Sequence, residues 1–337
     1  MKAYTVAGTG LDTLQLGERP DPAQPGAGEV LIDVRAVSLN YRDLMVADGR
    51  YGGPQDPPII PCSDMAGTVV AVGSDVRGLK AGDRVLNAPF KFWPAGTLRS
   101  DWARTFGGGL GVDGVLAEQV VYPAASVVKI PENYSFGEAA TFTVAGLTAW
   151  AAVVTHGHVR AGEWVLLHGT GGVSIFGAQI ARLFGARTII STSDPEKARR
   201  VTEELQVDAT IDYRDEDWPS KVRDLTDGHG VDVVVETVGG ESLARSVKAC
   251  NYGGRVGLIG VLGGVEGRVN VIDFLVHQVA VRGIYMESAE ELQALVRAFA
   301  AADCHPWIDR EFKFEDAAQA YAYLNSQKHL GKVIIGR

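Results

Sequence analysis

The stretch from Trp164 to Phe184, WVLLHGTGGVSIFGAQIARLF, decides the fold. Its apolar start, WVLLH, is typical of a buried strand, and Gly169, Gly171 and Gly172 follow directly. Apolar residues then recur on one helix face, at Val173, Phe176, Ile180 and Phe184. Glycines between a strand and a helix let backbone N–H groups approach a pyrophosphate at the helix N-terminus. The stretch predicts a dinucleotide-binding unit. The alternative, an ordinary glycine-rich turn, is disfavoured by the strand and helix that flank it.

Strand and helix signals continue to alternate after this unit. RTIIS (187–191), ATID (209–212), VDVVVET (231–237) and GRVGLIG (254–260) are typical of strands. Helices are predicted from Pro195, near 217–227 and through 241–250, and Asp194 can cap the first of these. Such alternation implies right-handed crossovers and therefore an α/β fold with a parallel, doubly wound sheet.

The first 125 residues follow another pattern. VLIDVRAVSLN (30–40) alternates apolar and polar positions, as a half-buried strand does. Turn-rich segments separate such strands at 20–29, 49–61 and 79–83. We predict an antiparallel, barrel-like domain over 1–125 and the parallel-sheet domain over 126–270. Residues 271–337, interpreted as a strand, two helices and a last strand, are expected to complete the first domain.

Composition narrows the function classes. The 337 residues are 46% hydrophobic, enough for a large core, and suggest two domains. The net charge of −9 disfavours nucleic acid and anionic membranes as partners. No signal peptide is apparent, and we expect that no apolar stretch approaches the ~20 residues that span a bilayer. The three cysteines are far apart and form no disulfide framework, so we expect a cytoplasmic protein.

The segment after the second strand of the parallel sheet favours NADP over NAD. About 20 residues after the glycines, where a carboxylate would bind the ribose 2′-hydroxyl of NAD, the strand ends in Ser191, Thr192 and Ser193. Asp194 is better explained as a helix cap. Lys197 follows within a turn, and Tyr213 ends the next strand. Hydroxyls and a lysine suit a 2′-phosphate; the alternative is that Lys197 is a solvated helix residue.

Eight motifs, some of them overlapping the segments above, resemble one family. They are SLNYRDLMVADGRYG (38–52), IPCSDMAGTVVAVGSDV (60–76), LKAGDRV (79–85), TVAGLTAW (143–150), GTGGVSIFG (169–177), VVVETVGG (233–240), LIGVL (258–262) and HLGKVII (329–335). In this order, and over almost the whole chain, they are similar to the medium-chain dehydrogenase/reductase superfamily. The resemblance implies a GroES-like catalytic domain over 1–125, a Rossmann domain over 126–270, a C-terminal return and a homodimer.

The residues that hold catalytic zinc in part of this family are replaced here. Asn40 stands at the position of a cysteine ligand, Cys62-Ser63-Asp64 replaces Gly-His-Glu, and Thr141 falls near the third ligand. Zinc prefers thiolate and imidazole ligands. The segment 87–116, in the place of the structural-zinc lobe, has no cysteine. We predict that no metal is bound, as in the branch that includes quinone oxidoreductases and enoyl reductases.

The resemblance also assigns cofactor contacts residue by residue. It implies that Asn40 lies beside the nicotinamide, and that Gly169, Gly171, Gly172 and Val173 surround the pyrophosphate. Ser193, Lys197 and Tyr213 would surround the adenosine phosphate, and Thr237, Val238, Gly260 and Val261 lie at carboxyl ends of strands, where such sheets bind ligands. Lys332 resembles a family position near the cofactor phosphates; a surface lysine is an equally good interpretation.

Hydride transfer to a carbonyl-containing electrophile builds negative charge on oxygen, which preorganised hydrogen-bond donors stabilise. Asn40 is one candidate, and Tyr51 and Tyr41 are candidate proton donors, with packing as the alternative for both tyrosines. A buried Arg42–Asp43 ion pair is preferred to a catalytic role. The aromatic residues of 87–116 line a substrate pocket or pack against the barrel.

We therefore predict NADPH-dependent reduction of a quinone or an α,β-unsaturated carbonyl compound, a small-molecule electrophile. One alternative is a zinc-independent alcohol or aldehyde dehydrogenase. The other is a non-catalytic dinucleotide-binding or structural protein.

Overall fold

The protein, described by a computed structural model over residues 1–337, contains strands and helices along its whole length. The strands are β1 (Lys2–Thr5), β2 (Gln15–Glu18), β3 (Glu29–Leu39), β4 (Asp64–Val72), β5 (Arg84–Asn87), β6 (Gln119–Pro123), β7 (Val127–Lys129), β8 (Trp164–His168), β9 (Arg187–Ser191), β10 (Ala209–Ile211), β11 (Val231–Glu236), β12 (Cys250–Leu258), β13 (Ala280–Gly283), β14 (Ile308–Lys313) and β15 (Lys332–Gly336). The helices are α1 (Tyr41–Ala47), α2 (Ser100–Ala103), α3 (Phe136–Thr141), α4 (Leu147–Trp150), α5 (Gly172–Leu183), α6 (Pro195–Leu205), α7 (Trp218–Leu225), α8 (Ser242–Ala249), α9 (Val271–His277), α10 (Ala289–Ala301) and α11 (Ala317–Asn325).

The chain divides into two units. Unit 1 comprises Met1–Leu147 and Glu287–Arg337, and unit 2 comprises Thr148–Met286. Both boundaries fall later in the chain than the predicted ones after residues 125 and 270. The first is later because β7 pairs with β5 of unit 1. The second is later because β13 pairs with β12 of unit 2.

Unit 1 is built around β3. Along one edge, β3 pairs with β4, and along the other it pairs with β6 and then with β15, in each case antiparallel. Only β14 and β15 are parallel neighbours. The predicted antiparallel domain and its completion by the last strand are confirmed. The predicted order of the C-terminal segment was incomplete, because it lacked α9, β14 and the assignment of β13 to unit 2.

Unit 2 is a parallel six-stranded sheet in the order β10-β9-β8-β11-β12-β13. The chain runs outward from β8 to β10, then returns to the other side of β8 and runs outward again. The carboxyl ends of β8 and β11 therefore form a topological switch point, where ligands bind in doubly wound sheets. The predicted strands and helices of this sheet are confirmed, and the glycine turn follows β8 directly.

A continuous helical run extends from Phe136 to Thr155: one π-helical segment joins α3 to α4, and a second follows α4. Its 20 residues, with mean hydropathy 1.3 over the most apolar part, make it long and apolar enough to cross a membrane. The expectation that no apolar stretch approaches this length was wrong. Four threonines, at positions 141, 143, 148 and 155, interrupt the apolar residues of this segment in the sequence. With 89% of that part buried, the helix has the burial of a core helix.

Candidate active site and dinucleotide site

Strand register in unit 1 brings distant polar residues together. Ser38 of β3 lies opposite Asp64 of β4, and Leu39 lies opposite Val333 of β15. Asn40, the next residue, precedes α1, and its backbone N–H donates to the Asp43 carboxylate at 2.7 Å. Asn40, Asp43, Asp64 and Lys332 thus meet where three strands begin or end. We call these four residues the polar cluster.

Lys332 is buried, with 3% of its surface exposed. Its ammonium donates to the Asn40 carboxamide oxygen at 2.6 Å and to the Leu39 carbonyl oxygen. Burial lowers the Lys332 pKa, while Asp64 and Asp43 raise it. The surface alternative for Lys332 was wrong. Its contacts place it in the polar cluster, with its ammonium already engaged, and give no support to the predicted phosphate contact.

Two fully buried carboxylates balance the nearby cations. Burial raises the pKa of Asp43 to about 6, against the attraction of Arg42. Burial also raises the pKa of Asp64, against the attraction of Lys332. Asp64 accepts hydrogen bonds from the Ser63 hydroxyl at 2.8 Å and the Val144 backbone N–H at 3.2 Å. Isolated charges would not persist at this depth, so each carboxylate depends on its cation.

Arg42 and Asp43 form the predicted buried ion pair, with 3.7 Å between Nη1 and Oδ1. The guanidinium lies 3.8 Å from the centre of the Phe106 ring and 5.1 Å from that of Tyr51. It also donates to the Gly107 carbonyl at 3.0 Å. Phe90, Trp93 and Phe106 are buried. This part of the aromatic segment therefore packs in the interior, in agreement with the alternative that it packs against the barrel.

The two candidate tyrosines differ in environment. Tyr51 is half-buried and packs against the unit 1 core beside Arg42. Tyr41 is 36% exposed, and its hydroxyl accepts a hydrogen bond from Arg50 at 3.2 Å. Tyr51 therefore has the less exposed environment of the two.

The residues at the family's zinc-ligand positions do not fit a zinc ion. The Thr141 hydroxyl donates to the Glu138 carbonyl at 2.6 Å, the Ser63 hydroxyl binds Asp64, and the Asn40 oxygen binds an ammonium. Nowhere in residues 1–337 do three His, Cys, Asp or Glu side chains converge to hold a metal ion. A divalent ion among these groups would be repelled by Lys332 and would find no imidazole, and the nearby Cys62 thiol is buried against the Tyr321 hydroxyl at 3.1 Å.

In unit 2, some glycines of the turn after β8 are required by the backbone or by packing, and others leave open space where a side chain would be. Gly169 has φ +76°, which favours glycine, and a side chain at Gly177 would collide with Leu167. Gly177 thus provides the close helix–strand packing, and the Ser174 hydroxyl ties α5 to β8 by donating to the His168 carbonyl at 2.6 Å. A Cβ at Gly171, before Gly172 and Val173, would meet no atom within 4 Å. That open space is where a pyrophosphate can approach.

A buried network beneath this turn was not predicted. The Glu236 carboxylate accepts from the Ser246 hydroxyl, and His168 contacts Ser246 at 2.8 Å and Ser191 at 3.0 Å. Burial lowers the His168 pKa despite the opposing effect of Glu236. Because the carboxylate only accepts, Ser246 donates to it, and His168 Nε2 must donate to Ser246. The sequence signal was a histidine and a glutamate each ending a buried strand.

Glu236 also holds the loop that follows β11, which contains the predicted cofactor-contact residues Thr237 and Val238. Its carboxylate accepts the backbone N–H groups of Val238 at 2.8 Å and Gly239 at 3.0 Å, and the Thr237 hydroxyl donates to the His168 carbonyl at 2.9 Å. A Cβ at Gly260, which precedes the exposed Val261, would lie 1.7 Å from the Thr237 carbonyl oxygen. The two loops therefore approach so closely that only glycine fits.

The predicted adenosine-phosphate residues assemble at the ends of β9 and β10. The Ser193 hydroxyl donates to the Tyr213 hydroxyl at 2.8 Å, and Arg214, which was not predicted, donates to the Ser193 carbonyl at 2.9 Å. Asp194 caps α6 by accepting from the Glu196 and Lys197 backbone N–H groups, as predicted. Arg214 forms a salt bridge with Asp212 at 2.7 Å. Its position directly after Tyr213 in the sequence was the signal that could have identified it.

Comparison with known proteins adds independent findings. Residues 26–132 match the alcohol dehydrogenase GroES-like domain, and residues 172–301 match a domain described as zinc-binding dehydrogenase. A zinc-type alcohol dehydrogenase-like protein of Schizosaccharomyces pombe is 35% identical over 97% of this chain and 96% of its own. Rat quinone oxidoreductase is 28% identical over 92% of this chain and 90% of its own.

Solved structures agree with these matches. A putative alcohol dehydrogenase from Sinorhizobium meliloti 1021 is 38% identical, with TM-score 0.91 over 100% of this chain and 98% of that one. A mycobacterial protein solved in complex with NADPH is 27% identical, with TM-score 0.82 over 100% of both chains.

Proposed function

Because the chain belongs to the medium-chain dehydrogenase/reductase family, we propose that it transfers a hydride from NADPH to a quinone or an α,β-unsaturated carbonyl compound, without catalytic zinc. It is an oxidoreductase of a family that uses nicotinamide dinucleotides. The observation that carries the proposal is the Lys332 ammonium bound to Asn40 at 2.6 Å, within a group of side chains unsuited to zinc. The zinc in the descriptions of some relatives belongs to those proteins.

The phosphate-binding end supports NADPH over NADH. Ser193, Tyr213 and Arg214 form one connected group, and Lys197 lies in the adjacent first turn of α6. The only carboxylate at the expected position, Asp194, is committed to capping α6. Cationic and hydroxyl groups favour a 2′-phosphate, whereas NAD recognition calls for a carboxylate on the 2′-hydroxyl.

In this mechanism, bound NADPH supplies the hydride. The residues of the chain must stabilise the negative charge that develops on the substrate carbonyl oxygen and deliver a proton. The Asn40 amide provides N–H donors, and the Tyr51 hydroxyl provides the proton. Conjugated acceptors delocalise the developing charge, so they need less polarisation than simple aldehydes do.

A second candidate is a zinc-independent alcohol or aldehyde dehydrogenase. Its support is the similarity, at 35% and 38% identity, to proteins described as alcohol dehydrogenase-like or putative alcohol dehydrogenase. A non-catalytic dinucleotide-binding or structural role has no structural feature in its favour, since the glycine turn is intact.

The test is consumption of NADPH and NADH by purified protein with a panel of quinones, enones and aldehydes, and formation of NADPH with alcohols, each with and without a metal chelator. We expect chelator-resistant NADPH oxidation with quinones or enones. Alcohol-dependent NADP reduction that survives chelation would favour the second candidate. Activity lost on chelation and restored by zinc would contradict the metal-free proposal, and tight NADPH binding without any turnover would favour the non-catalytic role.

We also propose that the protein is cytoplasmic and that it forms a homodimer. In this proposal, two copies associate through unit 2. Strand β13 is an edge of the six-stranded sheet, and the neighbouring α9 buries none of its residues. Val271, Ile272, Leu275 and Val276 are each more than half exposed. Exposed apolar patches beside an open sheet edge mark association surfaces. An edge strand can pair with its own copy about a two-fold axis, which satisfies both edges at once.

A further inference from the structure

We propose that Lys332 is a positioning residue that fixes the Asn40 carboxamide with its oxygen toward the ammonium, so that the buried amide keeps an unsatisfied N–H that a substrate oxygen can accept. The inference rests on the proposed function, in which Asn40 stabilises the developing negative charge. It assigns Lys332 to the chemistry of unit 1 and not to the phosphates of the cofactor.

The contact itself dictates the orientation of the amide. An ammonium has three donors and no acceptor, whereas a carboxamide has one acceptor end and one donor end. Lys332 lies 2.6 Å from the amide oxygen of Asn40, and the opposite orientation would place donors against donors. The amide nitrogen is buried without a well-aligned partner, although it faces Asp64 closely enough to stabilise the charged carboxylate. An NH2 group has two hydrogens, so at least one of them has no acceptor within the protein.

The lysine is held in place from several sides. Its backbone begins β15, which register locks against the end of β3 immediately before Asn40. Its ammonium also donates to the Leu39 carbonyl oxygen, and the charges of Asp64 and Asp43 attract it. With 3% exposure, the side chain has no solvent route to another position. The amide orientation is therefore specified by the fold and precedes substrate binding.

The same contact makes Asn40 a stronger donor. A hydrogen bond to a positive charge polarises the amide, and successive hydrogen bonds in a low-dielectric interior strengthen one another. The buried ammonium thus provides a fixed positive charge behind the amide.

The test is a double-mutant cycle on the full-length protein with Lys332→Met, Asn40→Ala and both changes together. Lys328→Met, which alters an exposed lysine of the same segment, is the matched control. The readouts are kcat, KM for the acceptor, and the NADPH dissociation constant from fluorescence titration. We expect Lys332→Met to lower kcat about 100-fold, the scale for loss of one preorganised donor, and to leave NADPH affinity within about threefold. In the Asn40→Ala background, the Lys332 change should have almost no further effect.

Other results would overturn the inference. Full additivity of the two losses would show that Lys332 does not act through Asn40. A large rise in the NADPH dissociation constant with unchanged kcat would make Lys332 a phosphate ligand instead. Should Lys332→Met leave Asp64 uncompensated and prevent folding, Lys332→Met with Asp64→Asn restores the buried charge balance. Recovery of wild-type kcat in that variant would reduce Lys332 to a counter-charge.

A readout without turnover separates this inference from the proposed function. The side-chain amide signals of Asn40 in 15N-labelled protein are identified by their loss in Asn40→Ala. We expect Lys332→Met with Asp64→Asn to shift these signals relative to Asp64→Asn alone, and Lys328→Met to leave them unchanged. Unshifted signals contradict the inference even in an active enzyme. Shifted signals in a protein that reduces no acceptor contradict the proposed function alone.

Discussion

Unsatisfied buried polar atoms concentrate within a few consecutive residues of unit 1. Ser38 Oγ, Arg42 Nε and Nη2, and Asp43 Oδ1 are buried and lack a hydrogen-bond partner. Each such atom costs about 1–3 kcal/mol of stability, and native proteins keep few of them. Their concentration beside Asn40 is what the proposed role of this segment in binding and chemistry predicts, since such a role is maintained at some expense of stability.

Asp43 makes the stability of the protein depend on pH. Burial raises its pKa to about 6, whereas an aspartate in an unfolded chain has a pKa of about 3.9. The folded state binds this proton more tightly, so ionisation of Asp43 lowers the free energy of unfolding as pH rises from about 4 to about 6. Relative to Asp43→Asn, the wild type should lose about 1–3 kcal/mol over that interval and no more above it. Urea unfolding at a series of pH values measures this. Asp224→Asn, at an exposed aspartate, should retain the wild-type slope, and parallel curves for wild type and Asp43→Asn would contradict the prediction.

Tyr51 and Tyr41 are distinguished by removal of their hydroxyl groups. We expect Tyr51→Phe to lower kcat for an enone by about 100-fold, since a positioned general acid contributes at least that much. Tyr41→Phe should stay within about threefold of wild type, because its hydroxyl already binds the exposed Arg50. Steady-state kinetics with unchanged thermal unfolding of both variants would check this. Equal activity of Tyr51→Phe and wild type would leave Tyr51 a packing residue.

At the scale of elements, the glycines of the dinucleotide turn separate into those that the fold requires and those that a ligand requires. Gly177 and Gly260 admit no Cβ because neighbouring atoms of the protein stand in the way. Gly171 has an ordinary φ of −78° and open space where its Cβ would be. Because Gly171 also lies at the N-terminus of α5, its open space is where the phosphates of a dinucleotide can approach the backbone.

Gly171→Ala should therefore fold normally and bind cofactor poorly. We expect an unchanged melting temperature and a rise of at least tenfold in the NADPH dissociation constant, because the added methyl group occupies the space that the pyrophosphate needs. Gly17→Ala, where a Cβ also meets no atom within 4 Å, is the control and should change neither quantity. Undiminished NADPH affinity in Gly171→Ala would place the pyrophosphate elsewhere.

Arg214 tests the preference for NADPH at the ends of β9 and β10. Arg214→Ser should raise KM for NADPH about tenfold and leave KM for NADH nearly unchanged, because only NADPH carries the 2′-phosphate. Arg160→Ser removes an exposed arginine from the same unit and should leave both values unchanged. Parallel increases in both KM values would show that Arg214 supports the loop and does not recognise the phosphate.

The sequence sufficed for elements whose signals are local. The strand, glycines and helix at 164–184 were predicted because apolar period and turn chemistry act over neighbouring residues. Contacts such as that of Lys332 with Asn40 depend on the register of β15 against β3, which no local pattern specifies. For the same reason the network of His168, Ser246 and Glu236 was not predicted, since its members come from two strands and a helix.

At the scale of the whole molecule, the exposed apolar residues of α9 form the surface that we propose a second copy of the chain buries. We expect the wild type to be a dimer at micromolar concentration and Leu275→Glu to be a monomer, because a charge in the middle of an apolar contact is left without a partner. Leu275 is 66% exposed, so the change should not disturb folding of the chain. Sedimentation velocity measures the outcome, with Leu225→Glu, at an exposed leucine of α7, as the control. A dimeric Leu275→Glu variant, or a monomeric wild type, would contradict the proposed interface.

The position of β15 between β14 and β3 also affects the order of events during synthesis. A ribosome releases all six strands of unit 2 before it makes β14 and β15. Meanwhile β3 is synthesised early, and its residues 36–39 have no partner strand on one edge until residues 332–336 emerge. Open strand edges invite pairing with other chains, so the nascent protein is most exposed to aggregation just before translation reaches β15. Lys332, the proposed positioning residue, arrives on that same strand, and the nascent chain therefore completes the polar cluster last.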